Sequence, residues 1–210
     1  KFADNKIVKT GVEELKDIGV FVVKDKKIVG TDFQDIVGET GLEGEGSGTL
    51  LDKKSIGAFV NKIMNYLKAV QPKEDYFGIN SKKFKYKEIG EGYDAKVKEV
   101  DDVDLVEKGI NAALKEGVKR TNGILEVHNN YHEVLTSSGV NYNEERSELY
   151  FSLRGFVKKE ESGHANVVST NVKDFDVEKG GQAAGQIASD AKNPIKGTKG
   201  KYDVIFAPLA

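Results

Sequence analysis

Apolar residues along this chain follow two different spacings, which alternate several times between one end of the sequence and the other. Leu149, Phe151 and Leu153 alternate with polar neighbours, and this is the period of a half-buried β-strand. Three other segments have the three-to-four-residue spacing of an amphipathic helix: residues 56–70, 101–117 and 176–192. Strand and helix periods in separate segments predict an α+β fold with antiparallel strands and flanking helices.

The strand-like segments predict paired, antiparallel strands. Residues 2–10 and 18–31 are rich in β-branched and aromatic residues, and Asp25 and Lys26 stand where a tight turn would reverse the chain. Residues 124–172 predict a meander of about four strands. Its turns are predicted at three places: Ser137–Gly139, Asn141–Glu145 and Ser162–Gly163.

Glycine marks two further segments. Residues 38–48 combine many glycines with several acids and predict a flexible loop. Gly180, Gly181 and Gly185 lie inside the third helical segment, where each costs about 1 kcal/mol relative to alanine. Glycines that are present in a helix despite this loss of helix propensity predict that the helix lies close against a sheet or a partner.

Both ends of the chain suggest a piece of a longer protein. The chain begins at Lys1, already inside a predicted strand and without a methionine. Residues 201–210 predict an apolar strand that enters Pro208 and has no polar tail after it. We therefore expect neighbouring sequence at both ends.

The order of elements in the first part of the chain recurs in the second. A strand, a turn, an apolar strand pair, a helix and a proline occur over 1–72 and again over 124–194. This predicts an internal duplication, with one lobe over 1–100 and a second, similar lobe over 101–210. Chance similarity between hairpins followed by helices is the alternative.

Composition excludes several classes of protein. Thirty-two basic residues stand against 34 acidic ones and are scattered along the chain, which argues against direct nucleic-acid binding. The chain contains no cysteine, so it has neither disulfides nor thiolate metal ligands, and a cytoplasmic location is expected. No stretch approaches the apolar length of a membrane span, so no membrane partner is expected.

The residues alone show no catalytic constellation. His128 and His132 could share a zinc ion on a helix, but their neighbours favour a strand, in which the two side chains would lie roughly 13 Å apart. The glycine-rich segments at 44–49 and 197–201 lack the residues of a phosphate-binding loop. The serines have no nucleophile elbow, and His164 lies in a predicted strand. Neither metal nor catalytic residues are therefore assigned in this chain.

Several blocks, in their order and spacing, resemble the TldD/PmbA family, also called modulators of DNA gyrase, and its archaeal members in particular. The resemblance is clear over residues 120–210 and weaker over 1–100. It is carried by these blocks: Leu135–Val140, Tyr150–Phe156, Glu161–His164, Gly181–Ala188, Asn193–Pro194 and Gly200–Ala210.

The resemblance implies one part of a two-part subunit, here an α/β amino-terminal region without the family's β-rich carboxy-terminal domain. In the active paralogue, that missing domain carries a zinc site of the H-E-x-x-x-H type. Family members pair as homo- or heterodimers and cleave short or unfolded peptides enclosed between the subunits. The full-length protein would then be a metallopeptidase subunit; the alternative is a metal-free, non-catalytic partner, like PmbA or TldE, that completes the chamber and selects substrate.

Exposed strand edges within residues 133–170 would suit an extended peptide that binds by strand addition. We hypothesise that a group of polar residues borders the peptide or subunit cavity: Thr136, Ser137, Ser138, Ser152, Arg154 and Ser162. The alternative is that they are ordinary turn and outer-face residues.

Overall fold

The structure, a computed structural model, describes residues 1–39, 53–76, 78–79 and 92–206. Within them the chain forms seven strands, three α-helices and one short 3-10 helix. The strands are β1 (Phe2–Ala3), β2 (Lys6–Ile7), β3 (Glu13–Lys24), β4 (Lys27–Glu39), β5 (Arg120–Leu135), β6 (Asn141–Phe156) and β7 (Ser162–Ser169). The helices are α1 (Lys53–Ala69), α2 (Asp102–Lys115) and α3 (Val177–Asp190), and the 3-10 turn spans Ala95–Glu99. The predicted α+β class is confirmed.

The chain forms two compact units that are built from interleaved segments. The first unit comprises Lys1–Lys9, Glu88–Glu133 and Asn143–Ala210. The second comprises Thr10–Lys87 and Val134–Tyr142. Lobes over 1–100 and 101–210, and the duplication behind them, stay predictions.

The first unit is organised around a five-stranded sheet with strand order β2-β1-β5-β6-β7. Leu149, Phe151 and Leu153 lie on one face of β6 and are completely buried, as their alternation predicts. Phe2 of β1 stacks on Phe151 with ring centroids 5.8 Å apart. Helices α2 and α3 contribute five further residues to this core: Val106, Ile110, Ala113, Val177 and Ala184.

Local signals set the ends of α2 and α3. The Asp101 carboxylate accepts hydrogen bonds from the first free amides of α2, and the Asp176 carboxylate does the same for Lys179 N in α3. Gly117 follows α2 with a φ of 89°, a left-handed conformation that glycine adopts without a steric penalty.

The glycines of α3 allow the close packing predicted from the sequence. A Cβ on Gly181 would overlap the carbonyl oxygen of Gly109 in α2, so the two helix backbones are in direct contact. A Cβ on Gly163 of β7 would overlap the backbone of α3. Helix α3 therefore lies tightly against both α2 and the sheet.

The second unit contains the β3–β4 ribbon and α1. Asp25 and Lys26 both have positive φ, at 52° and 61°, which is the geometry of a two-residue type I′ hairpin turn. Val29, Ile63 and Leu67 form the buried core of this unit. The turn predicted at Asp25 and the helix that ends before Pro72 are both confirmed.

Two strand predictions are wrong. Residues 124–172 hold three long strands, because Asn141–Glu145 continues β6 instead of turning, and Ser162 and Gly163 begin β7. Residues 201–206 form no strand. Apolar content alone does not make a strand, since the ladder needs a second segment to pair with. Residues 207–210 and most of the predicted loop, 40–48, lie outside the described residues; Gly38 and Glu39 end β4.

Within the described part of the chain, α1, α2 and α3 all lack the length and apolarity needed to cross a membrane.

Candidate functional site

The face of the β5-β6-β7 sheet that is opposite to α2 and α3 carries a polar cluster. Leu153 and Ala165 point into the core, so the alternating residues of β6 and β7 point away from it. The strand register pairs Arg154 with His164 and Ser152 with Asn166 on this outer face. Ser152 is half-buried, whereas Arg154 and His164 are exposed.

An open depression of about 300 Å³ lies on this face. Its lining residues come from three neighbouring strands: Asn122, Gly123, Ser152, Arg154 and His164. Gly123 keeps β5 close to β6 here, because a Cβ at this position would overlap the main-chain oxygen of Ser152. The shape of the depression therefore depends on the close main-chain packing of β5 and β6 as well as on its polar side chains.

Hydrogen bonds orient three of the lining side chains. Ser152 Oγ lies 2.9 Å from His164 Nε2. Asn122 Oδ1 accepts a hydrogen bond from Asp4 N at 3.0 Å, which directs the NH₂ end of this amide elsewhere. Arg154 has no ion-pair partner among the residues that the structure describes. Donors therefore predominate in the cluster.

Strand β7 ends the sheet on this side. In the described residues no further strand pairs with its outer edge. Helix α3 covers only the core face of β7, through Gly163 and neighbouring residues. An eight-residue edge of main-chain donors and acceptors is thus available beside the polar cluster.

Solved structures with the same fold are found at low sequence identity. A proposed modulator of DNA gyrase from Thermotoga maritima is 15% identical over 82% of this chain, with a TM-score of 0.57. TldE from Thermococcus kodakarensis is 19% identical over 81% of this chain, with a TM-score of 0.60. This chain has a TldD/PmbA-type fold. A second proposed gyrase modulator, from Bacteroides thetaiotaomicron, is 15% identical over 81% of the chain, with a TM-score of 0.55.

The chain spans only about two-fifths of the length of these neighbours, between 36% and 42% of each. No protein-family model matches the sequence, and no curated protein matches it. At identities of 15% to 19% the likeness establishes the fold. Membership of an archaeal-like branch stays a prediction.

The predicted cavity residues of this chain fall into separate groups. Ser152 and Arg154 line the depression. Ser162 begins β7 opposite Phe156 and does not line it. Thr136, Ser137 and Ser138 lie in the second compact unit. That all six border one cavity stays a prediction.

Thr136 and Ser138 stabilise the turn between β5 and β6. Thr136 Oγ1 lies 2.9 Å from Ser138 Oγ and accepts a hydrogen bond from Val140 N at 3.1 Å. Gly139 completes the turn with a φ of 88°. These contacts give both hydroxyls a local role in the hairpin.

The described histidines do not fit a zinc site. His128 and His132 both lie on β5, as their neighbours predict, at a spacing that would separate their side chains by roughly 13 Å. No group of three metal-donor side chains comes together anywhere in the described ranges.

The Ser152–His164 pair is the contact that sequence reasoning missed. The two residues are 12 positions apart and meet only because β6 and β7 pair in this register. A serine nucleophile needs a base that is itself oriented by a third group. Within the described residues no carboxylate hydrogen-bonds to His164. An alternating pattern in two consecutive strands is the signal that could have suggested a shared face.

Proposed function

We propose that this chain is the amino-terminal part of a TldD/PmbA-type metallopeptidase subunit. It would contribute to the substrate chamber and to association with a homologous subunit, for the cleavage of short or unfolded peptides. The fold likeness over about four-fifths of the chain, including the likeness to TldE, carries this proposal. Zinc would be bound by a carboxy-terminal domain outside this chain, and we propose a cytoplasmic location because the chain has no cysteine.

In this proposal the peptide binds as an added strand along β7. An extended peptide forms main-chain hydrogen bonds with a free sheet edge, and this gives affinity with little dependence on sequence. The free edge of β7 and the polar cluster beside it support this binding mode. The balanced and scattered charges of the chain favour a peptide over a nucleic acid.

The second candidate is a metal-free, non-catalytic partner that completes the chamber and selects substrate. The likeness to TldE favours it, since the resemblance described above places TldE-like subunits in this role. Both candidates predict the same peptide-binding edge, and they differ in the presence of a zinc site in the full-length chain.

The deciding measurement is the metal content and peptidase activity of the protein expressed from its complete reading frame. About one zinc per chain, with cleavage of unfolded casein that is lost on chelation, would support the metallopeptidase subunit. A chain that stays metal-free after zinc addition, yet raises cleavage by a homologous subunit, would support the non-catalytic partner. Absence of zinc, cleavage and association with a homologous subunit would contradict both.

Strand addition can be tested with N-methylated peptides. An added strand hydrogen-bonds to its neighbour through alternate residues, so N-methylation in one register should abolish binding and N-methylation in the other should not. Equal binding of both N-methylated series by the full-length protein, measured by calorimetry, would contradict strand addition on β7.

A further inference from the structure

The polar cluster beside β7 has an excess of hydrogen-bond donors. Asn122 uses its Oδ1 to accept from Asp4 N, so its NH₂ group is the free end of the amide. The Arg154 guanidinium has five N–H donors and no carboxylate within ion-pair distance among the described residues. A ligand that binds the Arg154 guanidinium must therefore supply acceptors.

The Ser152–His164 pair adds one donor in either tautomer. If the Ser152 hydroxyl donates to Nε2, the imidazole proton lies on Nδ1 of His164 and stays free. If Nε2 carries the proton and donates to Ser152, the hydroxyl proton is free instead. The pair therefore always keeps a donor for a third group.

Arg120 of the same sheet, in contrast to Arg154, contacts both an aromatic ring and a carboxylate. Its guanidinium stacks over the Phe156 ring, 4.4 Å from the ring centroid, and lies 3.7 Å from Asp4 Oδ1. Arg154 has neither kind of contact in the described part of the chain. Its charge is thus available to a ligand.

We propose that Arg154 and His164, with Ser152 orienting the His164 ring, bind a carboxylate of the peptide that is added to β7. This inference rests on the proposed function and adds a preference for acidic peptides. A guanidinium pairs with a carboxylate through two parallel hydrogen bonds, which gives direction as well as affinity. His164 lies on β7 itself and Arg154 is its cross-strand partner on β6, so a side chain or a carboxy terminus of the neighbouring added strand is within reach of both.

The test uses calorimetric titration of the full-length protein with three peptides that share one backbone. The first is neutral, with glutamine at the central position and an amidated carboxy terminus. The second has glutamate at the centre, and the third has a free terminal carboxylate. The wild-type protein should bind the second or the third about tenfold more tightly than the neutral peptide, and the stronger of the two identifies the source of the carboxylate.

Arg154→Gln should remove this tenfold preference. Arg154→Lys should restore part of it, because lysine keeps the charge but not the paired donors. The matched control is Lys173→Gln, which removes one positive charge at an exposed loop position outside the cluster and should keep the preference.

The possible failures separate the two proposals. If Arg154→Gln weakens all three peptides equally, or if the wild type binds them equally, the carboxylate site is wrong while peptide binding stands. If the preference falls equally in Lys173→Gln, it reflects net charge and the site is again wrong. If none of the peptides binds the wild type, both the site and peptide binding by this chain are wrong.

Discussion

Single atoms decide how closely α2 and α3 approach. Gly181→Ala should destabilise the first unit by about 1 to 3 kcal/mol, because the new methyl group would overlap the Gly109 carbonyl and push the helices apart. Gly57→Ala is the matched control, since this exposed helical position has open space around it. It should stabilise the second unit by about 1 kcal/mol through helix propensity. Urea unfolding, followed through amide resonances of each unit, measures the change in unfolding free energy for both variants. Equal changes in the two variants would contradict the close packing of α2 and α3.

Two carboxylates should make the stability of the first unit depend on acid. The Asp94 carboxylate accepts from Val172 N at 2.9 Å and Lys96 N at 3.0 Å, and these bonds lower its pKa below the usual 3.8. Glu161 accepts from Asn193 N at 3.2 Å, which together with Lys158 lowers the pKa of this carboxyl below 4.5. A carboxyl whose pKa is lower in the folded than in the unfolded protein stabilises the fold at pH values above its unfolded pKa. This stabilisation is lost as the pH falls through the folded pKa.

The wild-type protein should therefore lose unfolding free energy below about pH 4.5. The difference between the wild type and Asp94→Asn should be largest near neutral pH and shrink in acid. Asp203→Asn is the control, because Asp203 is exposed, and it should change the unfolding free energy by less than about 0.5 kcal/mol. Urea titrations between pH 7 and 2 measure these differences; a pH-independent cost of Asp94→Asn would contradict the role of its charge.

At the scale of elements, the β3–β4 turn holds two residues in a conformation that favours Asn-Gly. Replacing Asp25 and Lys26 by Asn-Gly should stabilise the ribbon by about 1 kcal/mol, because Lys26 pays a steric cost at φ 61°. The change also removes the exposed Lys26–Glu74 ion pair, 2.8 Å long, which contributes little. Glu74→Gln is the control, because it removes the same ion pair without changing the turn. Hydrogen exchange of β3 and β4 amides measures the gain, and faster exchange in the Asn-Gly variant would show that the prediction is wrong.

At the scale of the whole molecule, the two compact units should respond to core mutations separately. The core of the second unit has only three buried members among the described residues, including Leu67, while Leu153 lies in a much larger core. Leu67→Ala should lower hydrogen-exchange protection in the second unit by about 2 to 5 kcal/mol, and Leu153→Ala should do so in the first. A uniform loss across both units from either variant would contradict separate cores.

The sequence by itself determined the three α-helices and the α+β class. Helical hydrogen bonds are local, so the apolar period of α2 indicates a helix without knowledge of the rest of the fold. The aspartates before α2 and α3 mark where these helices begin. The Asp25–Lys26 turn is local for the same reason. The open edge of the β6–β7 pair could also be anticipated, because exposed edges were expected within residues 133–170.

Only the tertiary structure decided which distant segments meet. Asn141–Glu145 is polar enough for a turn, but pairing with β5 keeps it in β6, and residues 201–206 lack such a partner among the described residues. The same dependence on strand pairing brings His164 to Ser152 and joins them with Arg154 and Asn122. The register between β6 and β7 depends on the turn that joins them as well as on their apolar periods, so the alternation within β6 does not by itself show which residue of β7 lies opposite Ser152.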